Sequence, residues 1–261
     1  MRKPTHRHEA MPLPDTELDL DRLPIHIAIV MDGNGRWAKR RSLPRMAGHR
    51  AGAENIRRIV ECCIQFKIPY LTLFAFSTEN WTRPVKEVRG LLTILGEVLE
   101  HETPTLITEG VRVCHFGRQD RFPPHLVQAI QAATTQTALN TRLTLNICFN
   151  YGGRVELVDA VRQIVNAGIP AEQIDESVIS RYLYTHNMPD PDLIIRTAGE
   201  QRLSNFLVWQ SAYSEYWFTP CYWPDFDLPE FRRALLDYST RLRKFGKTPE
   251  QILHSNRKTD H

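Results

Sequence analysis

Residues Ile25 to Met31 read Ile-His-Ile-Ala-Ile-Val-Met and stop abruptly at Asp32-Gly33-Asn34-Gly35-Arg36-Trp37. A largely apolar run of this length, bounded by a Gly-rich break, has the pattern of a buried parallel strand. A carboxylate leaving such a strand lies at the sheet's carboxyl edge, where open α/β sheets bind ligands. Gly33 and Gly35 permit backbone conformations that aim successive N–H groups at one anion. Arg36 can grip phosphate bidentately, and Asp32 can hold a magnesium ion. The segment is thus either a tight turn closed by Asx chemistry or part of a diphosphate–magnesium site.

The rest of the chain continues the pattern. Strand-like runs at 70–76, 111–116, 143–149 and 192–196, with a short one at 216–219, alternate with helical patterns at 47–66, 86–109, 123–139, 153–167, 175–185 and 228–245. The alternation predicts a single α/β domain, a mostly parallel six-stranded sheet flanked by helices. Its span is 24–246, between an N-terminal tail at 1–23 and a flexible C-terminal tail at 247–261, both read as disordered from their polar composition. In the 86–109 helix, Val88, Leu91, Leu92, Leu95, Val98 and Leu99 form an apolar stripe, and Pro104 is expected to kink or break the pattern. The stripe is either core or one wall of an apolar tunnel between sheet and helices.

Two familiar phosphate loops fail here. Gly33-Asn-Gly35-Arg-Trp-Ala38 fits a loose dinucleotide fingerprint, but no acid follows at the end of the next strand, about 20 residues on. No Gly-Lys-Ser/Thr follows either, which excludes a nucleotide P-loop.

The net charge of +3 is too small to argue for nucleic acid but suits an anionic substrate. No apolar run approaches the roughly 18 to 20 residues of a membrane helix, and the polar first 20 residues lack a signal peptide's apolar centre. The five cysteines include no C-x-x-C pair. These features predict a cytoplasmic protein with reduced thiols, in at most peripheral contact with membrane.

Further candidate groups collect at the other strand ends. The second strand ends in Ser77-Thr78-Glu79-Asn80-Trp81-Thr82-Arg83, and the fifth in Arg196-Thr-Ala-Gly-Glu-Gln-Arg202-Leu203-Ser204. Arg45 and His49 lie one helical turn apart. Glu215, a lone acid in an aromatic run, is a paired carboxylate or a metal ligand. The cationic capacity exceeds what one phosphate needs and would satisfy two diphosphates and one magnesium ion.

Together these segments closely resemble the cis-prenyltransferases of the bacterial undecaprenyl diphosphate synthase type. The resemblance rests on His26-Ile-Ala-Ile-Val-Met-Asp-Gly-Asn-Gly-Arg-Trp-Ala38, Phe74-Ala-Phe-Ser-Thr-Glu-Asn-Trp-Thr-Arg-Pro84, Asn150-Tyr-Gly-Gly-Arg154, Asp192-Leu-Ile-Ile-Arg-Thr-Ala-Gly-Glu200, Arg202-Leu-Ser-Asn-Phe206 and Tyr222-Trp-Pro-Asp-Phe226. It departs at Ala198, where the family usually has glycine. It implies condensation of isopentenyl diphosphate onto an allylic diphosphate by a magnesium-dependent homodimer. Asp32 would hold magnesium, and Gly33, Asn34, Gly35, Arg36, Arg45 and His49 would cradle the allylic diphosphate. Ser77, Arg83, Arg196, Arg202 and Ser204 would hold isopentenyl diphosphate. Family proposals make Asn80 the proton acceptor and Trp81 a positioning residue. Trp37, Thr78, Glu79 and Leu203 join the candidate substrate-binding set on the same resemblance. Glu215 matches a metal-binding acid reached across the dimer, and Leu143 lies near the tunnel floor in long-chain members.

Two other readings are weaker. A silent accessory subunit of the same family would lack the loops, which are present here. A phosphohydrolase using Asp32 would need a second acid such as Asp-x-Asp, which Asp32-Gly33-Asn34 lacks. The all-helical trans-prenyltransferases carry paired aspartates, and this chain has no Asp-Asp pair.

Overall fold

The structure, a computed structural model, describes residues 18–241. Both expected tails lie largely outside the described residues. Leu18 and Leu23, assigned to the N-terminal tail, instead pack on the core around a 3-10 turn at Leu20–Arg22.

Six strands form one sheet: β1 (His26–Val30), β2 (Tyr70–Ser77), β3 (Val111–Phe116), β4 (Leu143–Tyr151), β5 (Leu193–Arg196) and β6 (Glu215–Phe218). Their order is β3-β4-β2-β1-β5-β6. Every pairing is parallel, so the sheet is wholly rather than mostly parallel. β1 is buried at all five positions, which is why its sequence shows no polar alternation. Ile27 and Ile29 enter the larger core, and Ala28 and Val30 the smaller one on the opposite face.

Among the described residues seven α-helices flank the sheet: α1 (Asn34–Arg40), α2 (Arg45–Gln65), α3 (Val85–Thr108), α4 (Pro124–Gln136), α5 (Gly153–Asn166), α6 (Glu176–Tyr182) and α7 (Leu228–Thr240). Helices α2, α3, α4 and α7 supply Ile59, Leu91, Leu126 and Phe231 to the larger core. α3 runs unbroken through Pro104. Proline removes one backbone bond, to the carbonyl of Glu100. Glu100 is exposed, so solvent can take that bond and the helix continues. None of the five cysteines is paired with another. No helix among the described residues is long and apolar enough to cross a membrane.

Two buried histidines make this fold acid-sensitive. His26, 1% exposed, bonds the Pro189 carbonyl at 2.8 Å through Nδ1 and Thr72 Oγ1 at 2.7 Å through Nε2. Burial pushes its imidazole down to about 4, against the opposing pull of the Pro189 carbonyl and Asp192. Burial likewise pushes His115 down to about 4, against its bond to the Phe149 carbonyl. Above pH 6.5 both imidazoles are neutral whether folded or unfolded, and stability is full. Between pH 6.5 and 4 the unfolded chain takes up the protons and the folded chain does not, so stability falls with pH. Each histidine accounts for a loss of roughly 3 kcal/mol by pH 4. Denaturant unfolding from pH 7 to 4.5 should show this decline, with a shallower slope for His26→Gln. An unchanged slope in that variant would rule out the assignment to His26.

Candidate active site at the carboxyl edge of the sheet

Asp32 follows β1 and is fixed from both sides. Its backbone N–H donates to Thr197 Oγ1 at 2.9 Å, and the Thr197 hydroxyl donates to the Asp32 carbonyl at 2.7 Å. These bonds join the ends of β1 and β5. The Asp32 carboxylate accepts from the Gly33 amide at 2.6 Å and from Arg196 at 3.0 Å, and lies 3.2 Å from the Arg36 guanidinium. Arg196 is 5% exposed along its side chain. Its other terminal nitrogen donates to Ser204 Oγ at 2.7 Å and to the Arg202 carbonyl, while its Nε is buried with no partner.

The two glycines have different jobs. Gly33 precedes α1 at φ +104°, and an added Cβ would lie 2.8 Å from the Tyr222 ring. Glycine alone fits both requirements. Gly35, expected to bend the backbone, is the second residue of α1; a Cβ there would lie 3.3 Å from the Arg45 guanidinium. It makes room rather than a turn. The segment expected to be a loop is therefore the start of a helix, whose first amides have no partner within it. Across the site, Ala198 adopts φ +72°, a left-handed conformation that favours glycine and costs an alanine about 1 to 2 kcal/mol. Its carbonyl accepts from Arg36 at 3.1 Å.

A second cationic cluster faces the first. Arg45 and His49 come from α2, and Arg83 caps the end of the 3-10 turn Thr78–Thr82, two residues before α3. All three reach one oxygen, Oε1 of Glu87, at 3.0, 3.3 and 3.2 Å. Glu87 is 9% exposed. Because a carboxylate only accepts, His49 Nε2 carries the hydrogen. Burial holds the His49 imidazole below its ordinary value, outweighing the attraction of Glu87.

Sequence reasoning missed Glu87. Two signals were available: it stands four residues after Arg83, and it continues the buried α3 face one turn before Leu91.

Ser77 and Asn80 form a capping box after a register irregularity between β2 and β4. The Ser77 amide donates to Asn80 Oδ1 at 3.1 Å. This bond turns the Asn80 carbonyl oxygen toward the backbone and uses one of its two lone pairs, and the NH2 can donate to a ligand.

These groups line a polar cleft of about 420 Å³. From the first loop it takes Asp32, Gly33, Asn34, Gly35 and Arg36; from α2, Arg45 and His49. Ser77, Asn80 and Arg83 come from the β2 end, and Arg196 and Ser204 from the β5 end. Met31, Asn34, His49, Ala75 and Leu91 also line an adjoining apolar pocket of about 110 Å³ between the sheet, α2 and α3. Leu95, Val98 and Leu99 form part of its wall. Leu143 does not: it is fully buried in the core.

Other expected site residues lie outside the cleft lining. Trp37 donates to Asp225 at 2.7 Å, and Trp81 to Asn150 at 2.7 Å. Glu79 accepts from Asn205 at 2.8 Å and from the Thr78 hydroxyl. Burial raises the Glu79 carboxyl, but hydrogen bonds, from Asn205 above all, outweigh it and hold the group below its ordinary value. Leu203 packs on the smaller core, and Arg202, 61% exposed, pairs with Glu200. Glu215 aligns with Leu193, which aligns with Ile27, so it sits near the amino end of the sheet and pairs with Arg241 at 2.8 Å. That is five residues, roughly 16 Å, from the level of Asp32.

Among the described residues no three His, Cys, Asp or Glu side chains gather to hold a metal. A single cleft carboxylate nevertheless suits magnesium, which typically takes one or two carboxylates and fills its shell with water and phosphate oxygens.

Known proteins resemble this chain in sequence and fold. Residues 30–246 match the prenyltransferase family described as undecaprenyl diphosphate synthase. The isoprenyl transferase of Heliobacterium mobile is 53% identical over 234 residues, 88% of this chain and 90% of that protein. That of Clostridium perfringens is 50% identical over 230 residues, 87% of this chain and 91% of that protein. The structure of lavandulyl diphosphate synthase from Lavandula x intermedia, in complex with dimethylallyl diphosphate, aligns with a TM-score of 0.84 at 36% identity, covering 87% of this chain and 100% of that one. A probable undecaprenyl diphosphate synthase from Campylobacter jejuni aligns with a TM-score of 0.73 at 29% identity, covering 86% and 99%. The chain belongs to the undecaprenyl diphosphate synthase family of isoprenyl transferases and is an enzyme of the cis-prenyltransferase class.

Proposed function

We propose that the protein adds isopentenyl diphosphate units head to tail onto an allylic diphosphate primer, farnesyl diphosphate, to make a long-chain polyprenyl diphosphate such as undecaprenyl diphosphate, the cell-wall lipid carrier precursor. One observation carries this reading: a polar cleft with two cationic clusters adjoins an apolar pocket and shares Met31, Asn34, His49, Ala75 and Leu91 with its lining. A diphosphate joined to a hydrocarbon chain matches both parts.

In each condensation the allylic carbon–oxygen bond breaks and diphosphate leaves. The double bond of isopentenyl diphosphate attacks that carbon, and loss of one proton leaves a new cis double bond. Arg36, Arg45, His49 and the first amides of α1 receive the departing diphosphate. Arg83, Arg196, Ser77 and Ser204 hold the incoming one, and Arg202 joins them by turning away from Glu200. Asn80 orients a diphosphate through its NH2, and a diphosphate oxygen takes the proton, because an amide is a poor base. Asp32 would hold magnesium, which when bound neutralises charge on the leaving diphosphate. Apolar walls exclude the water that would quench cationic carbon. Glu215 takes part in metal binding only across a homodimer, and the site works in the cytoplasm with product passing to the membrane.

The direct test incubates labelled isopentenyl diphosphate, farnesyl diphosphate and magnesium with the enzyme and sizes the products. A ladder of polyprenyl diphosphates is expected; unreacted primer alone would refute the reading.

Three substitutions test the parts, and a fourth serves as a core control. Asp32→Asn preserves the shape of the side chain but keeps one acceptor oxygen, enough for Gly33 or Arg196 and not both, and loses the charge. It should cut turnover roughly a thousandfold while primer affinity changes far less. Turnover within tenfold of wild type would refute the metal role.

Arg196→Lys should raise the KM for isopentenyl diphosphate by losing bidentate geometry, with the primer's KM nearly constant. The reverse pattern would mean that the two diphosphate sites are interchanged.

Val98→Trp should shorten products by filling the pocket. Leu143→Ala, at a core position, should mainly lower stability, by about 2 to 5 kcal/mol. Unchanged product lengths in a stably folded Val98→Trp enzyme would remove the pocket from the proposed chain path.

A further inference from the structure

The apolar pocket contains one feature that its chemistry does not call for. Along α3, Leu91, Leu95, Val98, Glu102 and Leu106 all line it. Spacings of four, three, four and four residues put them on one helical face. Glu102 thus interrupts an otherwise leucine–valine wall. Opposite it on α2, Arg57 follows Ala53 and Ile56 in the same lining. The two charges pair bidentately, Arg57 Nε to Glu102 Oε2 at 3.0 Å and the terminal nitrogen to Oε1 at 2.9 Å. Their side chains are 54% and 27% exposed, so the pair stands at the edge of the pocket, between its apolar wall and solvent.

Its depth can be estimated from the helices. Both α2 and α3 lead away from the polar cleft. Arg57 is eight residues beyond His49, about 12 Å, and Glu102 is eleven beyond Leu91, about 16 Å. An isoprene unit adds four carbon–carbon bonds, roughly 5 Å when extended. A chain anchored at the cleft reaches the pair after about three units.

We propose that Arg57 and Glu102 form a polar belt that limits product length. This rests on the chain-elongation reading above. Beyond Asn34 and His49 at the mouth, the first three units of the hydrocarbon run along apolar wall. Further units must slide past the pair, where stripping water from the charges offsets the gain from burying carbon. The pair is thus a specificity-determining element outside the polar cleft.

A neighbouring pair supplies a control. Arg50 and Glu97 also bridge α2 and α3, but neither lines the pocket. The experiment compares Arg57→Met/Glu102→Leu with Arg50→Met/Glu97→Leu, and adds the near-isosteric Glu102→Gln in case the apolar pair folds poorly. Binding of unreactive thiolodiphosphate analogues with three and five isoprene units is measured beside product sizing. The Arg57→Met/Glu102→Leu enzyme should make products longer by one or more units. It should bind the five-unit analogue about fivefold tighter and the three-unit analogue within about twofold of wild type. Glu102→Gln should shift both in the same direction by less, and the control should match wild type. An unchanged distribution and unchanged five-unit affinity in the folded variants would overturn the proposal. So would a control that lengthens products equally, because helix clasping rather than charge in the wall would then be responsible. If wild-type enzyme elongates nothing, the reading of function fails instead, and the analogue-binding comparison still decides the belt.

Discussion

All six strands point the same way, and that constraint decides where chemistry can be built. A parallel sheet needs a crossover for every connection, so each strand's carboxyl end feeds a loop at one edge. β1 lies in the middle, between β2 and β5, and the chain turns in opposite directions on its two sides. The loops after these three strands therefore converge, bringing Asp32, Ser77 and Arg196 to one cleft. Both faces of β1 are buried, so polar side chains gather where the strand stops.

The cleft is rich in cations yet internally balanced. Asp32 holds Arg196, and Glu87 holds Arg45, His49 and Arg83. Without these acids, four cationic or ionisable groups would face one another across a partly desolvated space. With them, the guanidiniums are aligned before a ligand arrives, which lowers the ordering cost of binding.

Much of this was legible in the chain. All six strands fall within a few residues of the runs read from the chain, and β1 and β5, buried at every position, leave the clearest apolar signal. Asp32, Ser77, Asn80, Arg83, Arg196 and Ser204 were legible as polar groups after strand ends, and Arg45 and His49 as neighbours on one helix face. Strand order was not, since it depends on which helices pack together. α1 was hidden because Gly33-Asn-Gly35 reads as a break, although only Gly33 takes an unusual backbone angle. Pro104 was read as a break because propensity does not register that Glu100 faces solvent. Trp37 and Trp81 sit beside the motifs yet turn to Asp225 and Asn150, a direction no spacing reveals. Glu87 was overlooked because an acid at the start of a helix ordinarily needs no further explanation.

The single oxygen of Glu87 shared by Arg45, His49 and Arg83 has a thermodynamic consequence. Under the proposed assignment those residues serve two different diphosphates, so the two subsites share a counter-ion. A ligand that draws Arg45 away changes the field Arg83 experiences from Glu87, without any movement of the sheet. The subsites are then linked, and linkage is reciprocal: whatever factor the primer imposes on the affinity for isopentenyl diphosphate is returned in full to the primer. Order of arrival can alter rates, but the free energy of filling both subsites is the same by either route.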